Sequence, residues 1–317
     1  MVLITRRVPP PAVERLTAAG FDVHETPSDA PLARDELLKR VAGVAGLVAL
    51  LSDRVDEELL AAAGPNLRIV ANFAVGIDNI DVPACTRRGV RVTNTPGVLT
   101  DATADLTWAL ILATARHIVA GDRLVRSGQW PGWGPRELLG LQLSGATLGV
   151  IGAGRIGTAV ALRSAGFNMR VLYTHPRANE ELDRRLGATR TPLDTLLQES
   201  DVVTLHIPLR PENRHLLDAS RLALLKPTAI LINTARGPIL DEPALVAALR
   251  SGQLAGAGLD VYEREPALAP GLAELPNVVL LPHLGSATTA TRQRMSAMVA
   301  DNVIAVLAGR EPANAVN

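Results

Sequence analysis

Leu148-Gly149-Val150-Ile151-Gly152-Ala153-Gly154-Arg155-Ile156-Gly157 decides how this chain is read. The apolar run through Ile151 has the character of a buried strand, and the glycines after it follow the spacing G-x-G-x-x-G. In a strand–turn–helix each glycine has its own task. Gly152 makes the tight turn, Gly154 lets the backbone approach a pyrophosphate, and Gly157 allows helix and strand to pack closely. The N-terminus of the next helix then offers free N–H groups to that anion. By itself the spacing could be an incidental glycine-rich turn. Here it follows a strand, opens a helical segment and leads into a further strand candidate, Met169–Tyr173, which is the setting a dinucleotide site requires.

The end of that further strand bears on the cofactor. A carboxylate there receives the ribose 2′-OH of NAD, whereas a basic group suits the 2′-phosphate of NADP. The chain reads Tyr173-Thr174-His175-Pro176-Arg177, with no carboxylate before Glu180. Thr174, His175 and Arg177 are thus candidates to receive a phosphate, and the expectation is NADPH preferred with NADH possible. The plainer alternative is that Arg177 is a solvated surface charge and either cofactor serves.

Outward from this turn, short β-branched runs alternate with longer helical segments, which predicts an α/β protein with parallel sheets. Strand candidates before it are Val2–Thr5, Phe21–His24, Gly46–Leu50, Arg68–Ala71 and Arg91–Thr93, with helical stretches at Pro11–Ala19 and Arg34–Val41. Asp101–Gly121 reads as one long helix, and Trp130–Gly145, rich in Gly, Pro and Trp, as a loop. After Thr147–Ile151 and Met169–Tyr173 come Val202–His206, Ala229–Asn233, Gly256–Asp260 and Val278–Leu281, then a last helix, Thr291–Ala308, with no strand behind it. That helix is expected to pack back on the first domain. The predicted architecture is two doubly wound domains. A smaller flavodoxin-like substrate domain comprises residues 1–98 and 286–317, and a Rossmann-type dinucleotide-binding domain comprises residues 99–285.

Composition narrows the function. The chain has 317 residues, 47% hydrophobic and 20% charged, enough for two ordinary domains. Lys+Arg and Asp+Glu are 32 each, so there is no basic excess for neutralising nucleic-acid phosphates. Cys85 is the single cysteine, which rules out an intrachain disulfide and any CxxC motif, and no metal site is expected. The start of the chain has no signal-peptide pattern and no apolar run approaches a membrane span, so a cytoplasmic protein without membrane attachment is expected.

Three charged side chains follow three strand candidates of the second domain. Arg236 lies in Asn233-Thr234-Ala235-Arg236-Gly237, Glu265 in Asp260-Val261-Tyr262-Glu263-Arg264-Glu265-Pro266, and His283 in Leu281-Pro282-His283-Leu284-Gly285. In open α/β sheets ligands bind outside the carboxyl ends of the strands, so these three can converge. Together they suit reduction of a keto group. An imidazole titrates near neutral pH and can give a proton to the carbonyl oxygen. A carboxylate can orient it and stabilise the imidazolium. A guanidinium can hold a substrate carboxylate bidentately. Singly, each residue would more often be structural or solvated. His206, at another strand end, is left unassigned.

With these stretches, and with Asn72-Phe73-Ala74-Val75-Gly76-Ile77-Asp78-Asn79-Ile80-Asp81, Asn94-Thr95-Pro96-Gly97-Val98-Leu99-Thr100 and Gly258-Leu259-Asp260-Val261, the chain resembles the D-isomer-specific 2-hydroxyacid dehydrogenases over nearly its whole length. The resemblance implies that Arg236, Glu265 and His283 are the catalytic three. It implies that Val75 and Gly76 offer backbone N–H groups to the substrate carboxylate. It implies cofactor contacts from Thr103, Arg155, Ile156 and Pro208, and from Thr234, Ala235, Asp260, His283 and Gly285. A homodimer joined through the second domain is implied as well.

Within that family the likeness runs towards glyoxylate/hydroxypyruvate reductases. Leu50-Leu51-Ser52-Asp53 puts apolar side chains, Leu51 among them, where the far end of a substrate is expected, with no basic residue for a phosphate. The Thr174–Arg177 segment resembles the NADPH-using members. Trp130-Pro131-Gly132-Trp133-Gly134-Pro135 resembles a loop that carries a Trp to the partner's site; Trp133 is the candidate, with packing at the dimer interface as the alternative. Two other readings stand beside this one. The first is a broad D-2-hydroxyacid dehydrogenase for larger apolar 2-keto acids, and the second a non-catalytic nucleotide sensor on the same fold.

Overall fold

The computed structural model describes residues 1–317. The chain divides into two units, Met1–Leu99 with Ser286–Asn317, and Thr100–Gly285. In the first unit β1 (Val2–Ile4), β2 (Val23–Glu25), β3 (Gly46–Ala49), β4 (Ile69–Asn72) and β5 (Arg91–Thr93) form a parallel sheet in the order β2-β1-β3-β4-β5, a flavodoxin-like arrangement. β1, β3 and β4 are buried at every residue, as strands covered on both faces must be. Helices Glu57–Ala63 and Val82–Arg87 start on aspartate caps, with Asp56 accepting from the Leu59 N–H at 3.1 Å and Asp81 from that of Ala84 at 2.9 Å.

The last helix, Thr289–Leu307, belongs to this first unit. Ser296 Oγ accepts the Ala12 N–H at 3.0 Å, Arg15 pairs with Asp301 at 2.7 Å, and Arg68 donates to the carbonyls of Val306 and Leu307 at 3.0 and 3.1 Å. The two carbonyls lie in the last turn of the helix, where intrahelical donors run out, and that of Val306 also accepts the Gly309 N–H at 3.0 Å.

In the second unit β6 (Thr147–Ile151), β7 (Arg170–Thr174), β8 (Thr189–Arg190), β9 (Val202–Leu205), β10 (Ile230–Asn233), β11 (Gly256–Leu259) and β12 (Val278–Leu280) are all parallel. Their order is β12-β11-β10-β9-β6-β7-β8. The winding reverses between β6 and β9, and in such sheets ligands occupy the crevice beyond the strand ends at that reversal. Both expected doubly wound sheets are therefore present.

Local expectations differ from the structure in one helix, one added strand and several strand ends. The single helix expected over Asp101–Gly121 is two, Thr100–Ala115 and Ile118–Arg126. Between them His117 takes the left-handed conformation, φ 51°, and the Ala115 carbonyl accepts the Leu141 N–H at 2.8 Å. A bond from the Trp130–Gly145 loop thus takes the carbonyl that would continue the helix, and no local periodicity announces it. β8 was not expected, since two residues are too few to show a period-two pattern. β2 begins at Val23 where Phe21 was expected, and β7 ends at Thr174, one residue beyond the expected Tyr173.

Candidate active site

The turn after β6 is built from backbone. Gly152 has φ +97°, and a Cβ there would stand 2.7 Å from the His206 carbonyl oxygen; one on Gly157 would stand 1.9 Å from the Gly152 oxygen. Packing inside the chain therefore requires both glycines. Gly154 differs, because a Cβ there would meet no atom within 4 Å. It would instead fill the space ahead of helix Arg155–Arg163, whose cap, Gly154, supplies no side-chain bond to the first-turn N–H groups of residues such as Arg155 and Ile156. That open cradle before unpaired donors fits the pyrophosphate of a dinucleotide cofactor.

Beyond β7, Thr174 and His175 are half-buried and Arg177 is exposed. The His175 carbonyl accepts from Arg190 Nε at 2.8 Å and that of Pro176 from Arg190 Nη2 at 2.9 Å. Arg190 stands opposite Tyr173 on β8, a partner that only the sheet register reveals. Asn179 Nδ2 donates to the Ala153 carbonyl at 3.0 Å and to Thr158 Oγ1 at 2.7 Å, tying this loop to the glycine turn. Neither residue was singled out in the sequence. Asn179 could have been found as the residue before an acidic helical start, Glu180-Glu181.

The ends of β9 and β10 add Pro208, exposed, and Thr234, buried with its hydroxyl 2.9 Å from that of Thr107, followed by half-buried Ala235. Thr103 Oγ1 donates to the Gly285 carbonyl at 3.1 Å.

The charged cluster forms at the same edge of the sheet. His283 Nδ1 lies 2.9 Å from Glu265 Oε2, while Glu265 Oε1 accepts the Tyr262 N–H at 3.1 Å. Burial alone would raise the Glu265 pKa. The hydrogen bond and charge of His283, the Tyr262 N–H and the charge of Arg236 outweigh it and hold the carboxyl below its ordinary range. The third charged residue, Arg236, is therefore close enough to act on Glu265, and its Nη1 also donates to the Ala235 carbonyl at 2.8 Å. Gly237 lets this turn approach the neighbouring loop, since a Cβ there would stand 1.9 Å from the Tyr262 carbonyl carbon.

His283 has φ 55°, a conformation seldom held by a non-glycine residue unless its surroundings impose it. Asp260, 1% exposed, imposes it. Its two carboxylate oxygens accept the Leu284 and Gly285 N–H groups at 2.6 and 2.8 Å. Burial pushes the Asp260 pKa up against these bonds. With Nδ1 turned to Glu265, Nε2 is the nitrogen that can serve a substrate. His206 is of another kind. Burial pushes its pKa down to about 3, the direction that disfavours the imidazolium a proton donor needs.

In the first unit the Ala74 carbonyl accepts the Thr95 N–H at 2.9 Å and the Val75 carbonyl accepts Asn94 Nδ2 at 2.8 Å. Because a trans peptide points its N–H opposite its carbonyl, the N–H groups of Val75 and Gly76 face away from the Asn94–Thr95 segment. Leu51 is half-buried in the turn after β3. The absence of a basic group at that turn needs correcting, because Arg6, beyond β1, donates from Nη2 to Ser52 Oγ at 2.6 Å. Strand adjacency brings it there across 46 residues of sequence. Trp133 is 85% exposed in the Trp130–Gly145 segment, which holds no helix or strand.

Comparison with known proteins matches residues 108–285 to the D-isomer specific 2-hydroxyacid dehydrogenase, NAD binding domain. A glyoxylate reductase of Pyrococcus horikoshii is 51% identical over 100% of this chain and 95% of the relative. The glyoxylate reductase of Aeropyrum pernix is 49% identical with the same coverages. Among solved structures, one from Thermus thermophilus superposes with a TM-score of 0.93 at 49% identity, covering 100% of this chain and 99% of the other. An NADPH-dependent glyoxylate/hydroxypyruvate reductase of Sinorhizobium meliloti, in complex with NADP and malonate, has a TM-score of 0.85 at 34% identity, covering 99% and 96%.

Proposed function

The chain belongs to the D-isomer-specific 2-hydroxyacid dehydrogenase family and is an NAD(P)-dependent oxidoreductase; from that premise we propose that it reduces glyoxylate or hydroxypyruvate to the 2-hydroxy acid with NADPH. The observation that carries this reading is the His283–Glu265 pair, 2.9 Å apart at the sheet edge that also bears the glycine turn. The relatives' names supply the substrate class.

When bound, the reduced nicotinamide supplies the hydride. Arg236 takes the substrate carboxylate and polarises the neighbouring carbonyl. His283 Nε2 delivers the proton to the carbonyl oxygen, and Glu265 stabilises the imidazolium before that step. NADPH preference is supported by the missing carboxylate at the end of β7 and by Thr174, His175 and Arg177, braced through Arg190.

A homodimer joins this reading. Ile118, Val125, Trp130, Trp133 and Leu139 are exposed apolar side chains of neighbouring segments of one unit, which a partner subunit would cover in this reading. In the dimer Trp133 reaches the partner's substrate. Sedimentation at micromolar concentration reads the mass; a monomer removes this part.

Steady-state assay of glyoxylate, hydroxypyruvate, pyruvate and 2-ketoisocaproate with each reduced nicotinamide tests the whole. Highest kcat/KM for glyoxylate or hydroxypyruvate with NADPH is expected. Preference for 2-ketoisocaproate would favour the broad dehydrogenase, and NADPH binding without turnover of any of the four would favour a sensor.

A further inference from the structure

Glu242 is a buried acid that the chemistry above does not use. It opens helix Glu242–Ser251 and is 2% exposed. Its Oε1 accepts the Glu263 N–H at 2.5 Å and its Oε2 the Ala269 N–H at 3.2 Å. These two donors are the feet of one turn. Inside them Arg264 and Ala267 form an antiparallel bridge, with the Ala267 N–H on the Arg264 carbonyl at 2.8 Å. At the tip of that turn stand Glu265 and Pro266. One carboxylate therefore closes the base of the loop whose tip holds His283.

Other bonds converge on the same loop. The Glu263 carboxylate takes Arg214 at 2.7 Å and His215 at 2.9 Å, and Tyr262 donates its hydroxyl to the Leu281 carbonyl at 2.8 Å, just before His283. None of these joins the two feet. Glu242 does, and no neutral side chain can replace it in full. Here the two N–H groups are met by different oxygens of one planar group, and an amide would put an N–H₂ donor against one of them. A buried acid left without this task would cost stability to no purpose, and burial does push its pKa up.

We infer that Glu242 is a positioning residue for proton delivery: its ionised carboxylate sets where Glu265 stands, and through Glu265 the orientation of His283. The inference rests on the reading of Glu265 and His283 as the proton-delivering pair. Glu242 itself touches neither substrate nor cofactor.

A double-mutant cycle on the full-length enzyme tests it, using Glu242→Gln, Glu265→Gln and the double variant. The readouts are kcat, KM for glyoxylate, NADPH affinity by fluorescence, and thermal unfolding. Misplacement of a reacting group by about 1 Å can cost up to about 10²-fold. The expected result is therefore a kcat loss of roughly ten- to a hundredfold in Glu242→Gln, with NADPH affinity and KM nearly unchanged. In the Glu265→Gln background the same change should alter kcat by less than about twofold, because coupled residues are not additive. Should Glu242→Gln not fold, Glu242→Asp takes its place in the cycle, since it keeps the charge and is too short to reach both feet. Losses that multiply in the double variant would overturn the inference, as would a fall in NADPH affinity matching the fall in kcat. A Glu265→Gln enzyme with normal kcat would instead remove the pair on which it rests.

Discussion

The glycine turn after β6 and the loop after β11 serve one site by opposite means. The turn works through side chains it lacks, since Gly152 and Gly157 permit approaches of 2.7 and 1.9 Å that no Cβ allows. The loop works mainly through side chains that come from elsewhere, namely Glu242 at its feet and His283 at its tip. A backbone device is compact and local in sequence. A carboxylate–imidazole device needs distant partners, and its geometry is only as good as the groups that hold it.

The contrast can be broken at several points. The largest effect is expected at the tip. His283→Ala should lower kcat by roughly 10²–10⁴-fold, the usual worth of a positioned proton donor, with NADPH affinity kept. Near-normal turnover in a stopped-flow assay would move the acid elsewhere. Next comes the turn. Gly157→Ala forces the helix off Gly152, and overpacking of this kind costs roughly 1–3 kcal/mol. NADPH affinity should fall about tenfold or more by fluorescence titration, with the loss in binding before kcat. Unaltered affinity would mean that the close approach is dispensable.

A smaller change sharpens the cofactor end. Arg177→Ala should lower kcat/KM for NADPH by about tenfold, the worth of one charge-assisted contact, and leave NADH almost untouched. Equal losses with both cofactors would make Arg177 a solvated charge.

The smallest effect is in stability against pH, and it sets two acids of one loop against each other. Glu265 is held below its ordinary 4.5, so its contribution is present above that value and is lost as the pH falls through the lower folded-state pKa. Glu242 is raised by burial, so its contribution is present below 4.5 and is lost as the pH rises through the higher folded-state pKa. In urea unfolding from pH 4 to 7, wild type should therefore lose stability relative to Glu242→Gln as the pH rises. Against Glu265→Gln it should hold its advantage from pH 7 down to 4.5 and lose it progressively in stronger acid. The same slope for both variants would contradict these assignments.

Much of the fold was legible because buried parallel strands are written as compact apolar runs. Thr147–Ile151 and Arg91–Thr93 were read to the residue. The helix break at His117 was not, because its cause, a bond from Leu141 to Ala115, lies outside the helix. Arg236, Glu265 and His283 stood out as charges just past strand ends, and family resemblance gave them roles. Glu242, Arg190 and Arg6 did not stand out, since each looks like an ordinary surface charge until a neighbouring strand or loop is placed against it.

The amino-acid sequence on its own determined the doubly wound α/β class, the glycine turn and the charged residues that stand just past the strand ends. Periodicity and steric allowance act over a few neighbouring residues, and these features need nothing more. Tertiary structure alone decided which carboxylate grips which loop and where Arg6 comes to rest. Hydrogen bonds between segments 21 to 46 residues apart have no local signature, and only the register and order of the strands bring such partners within 3 Å.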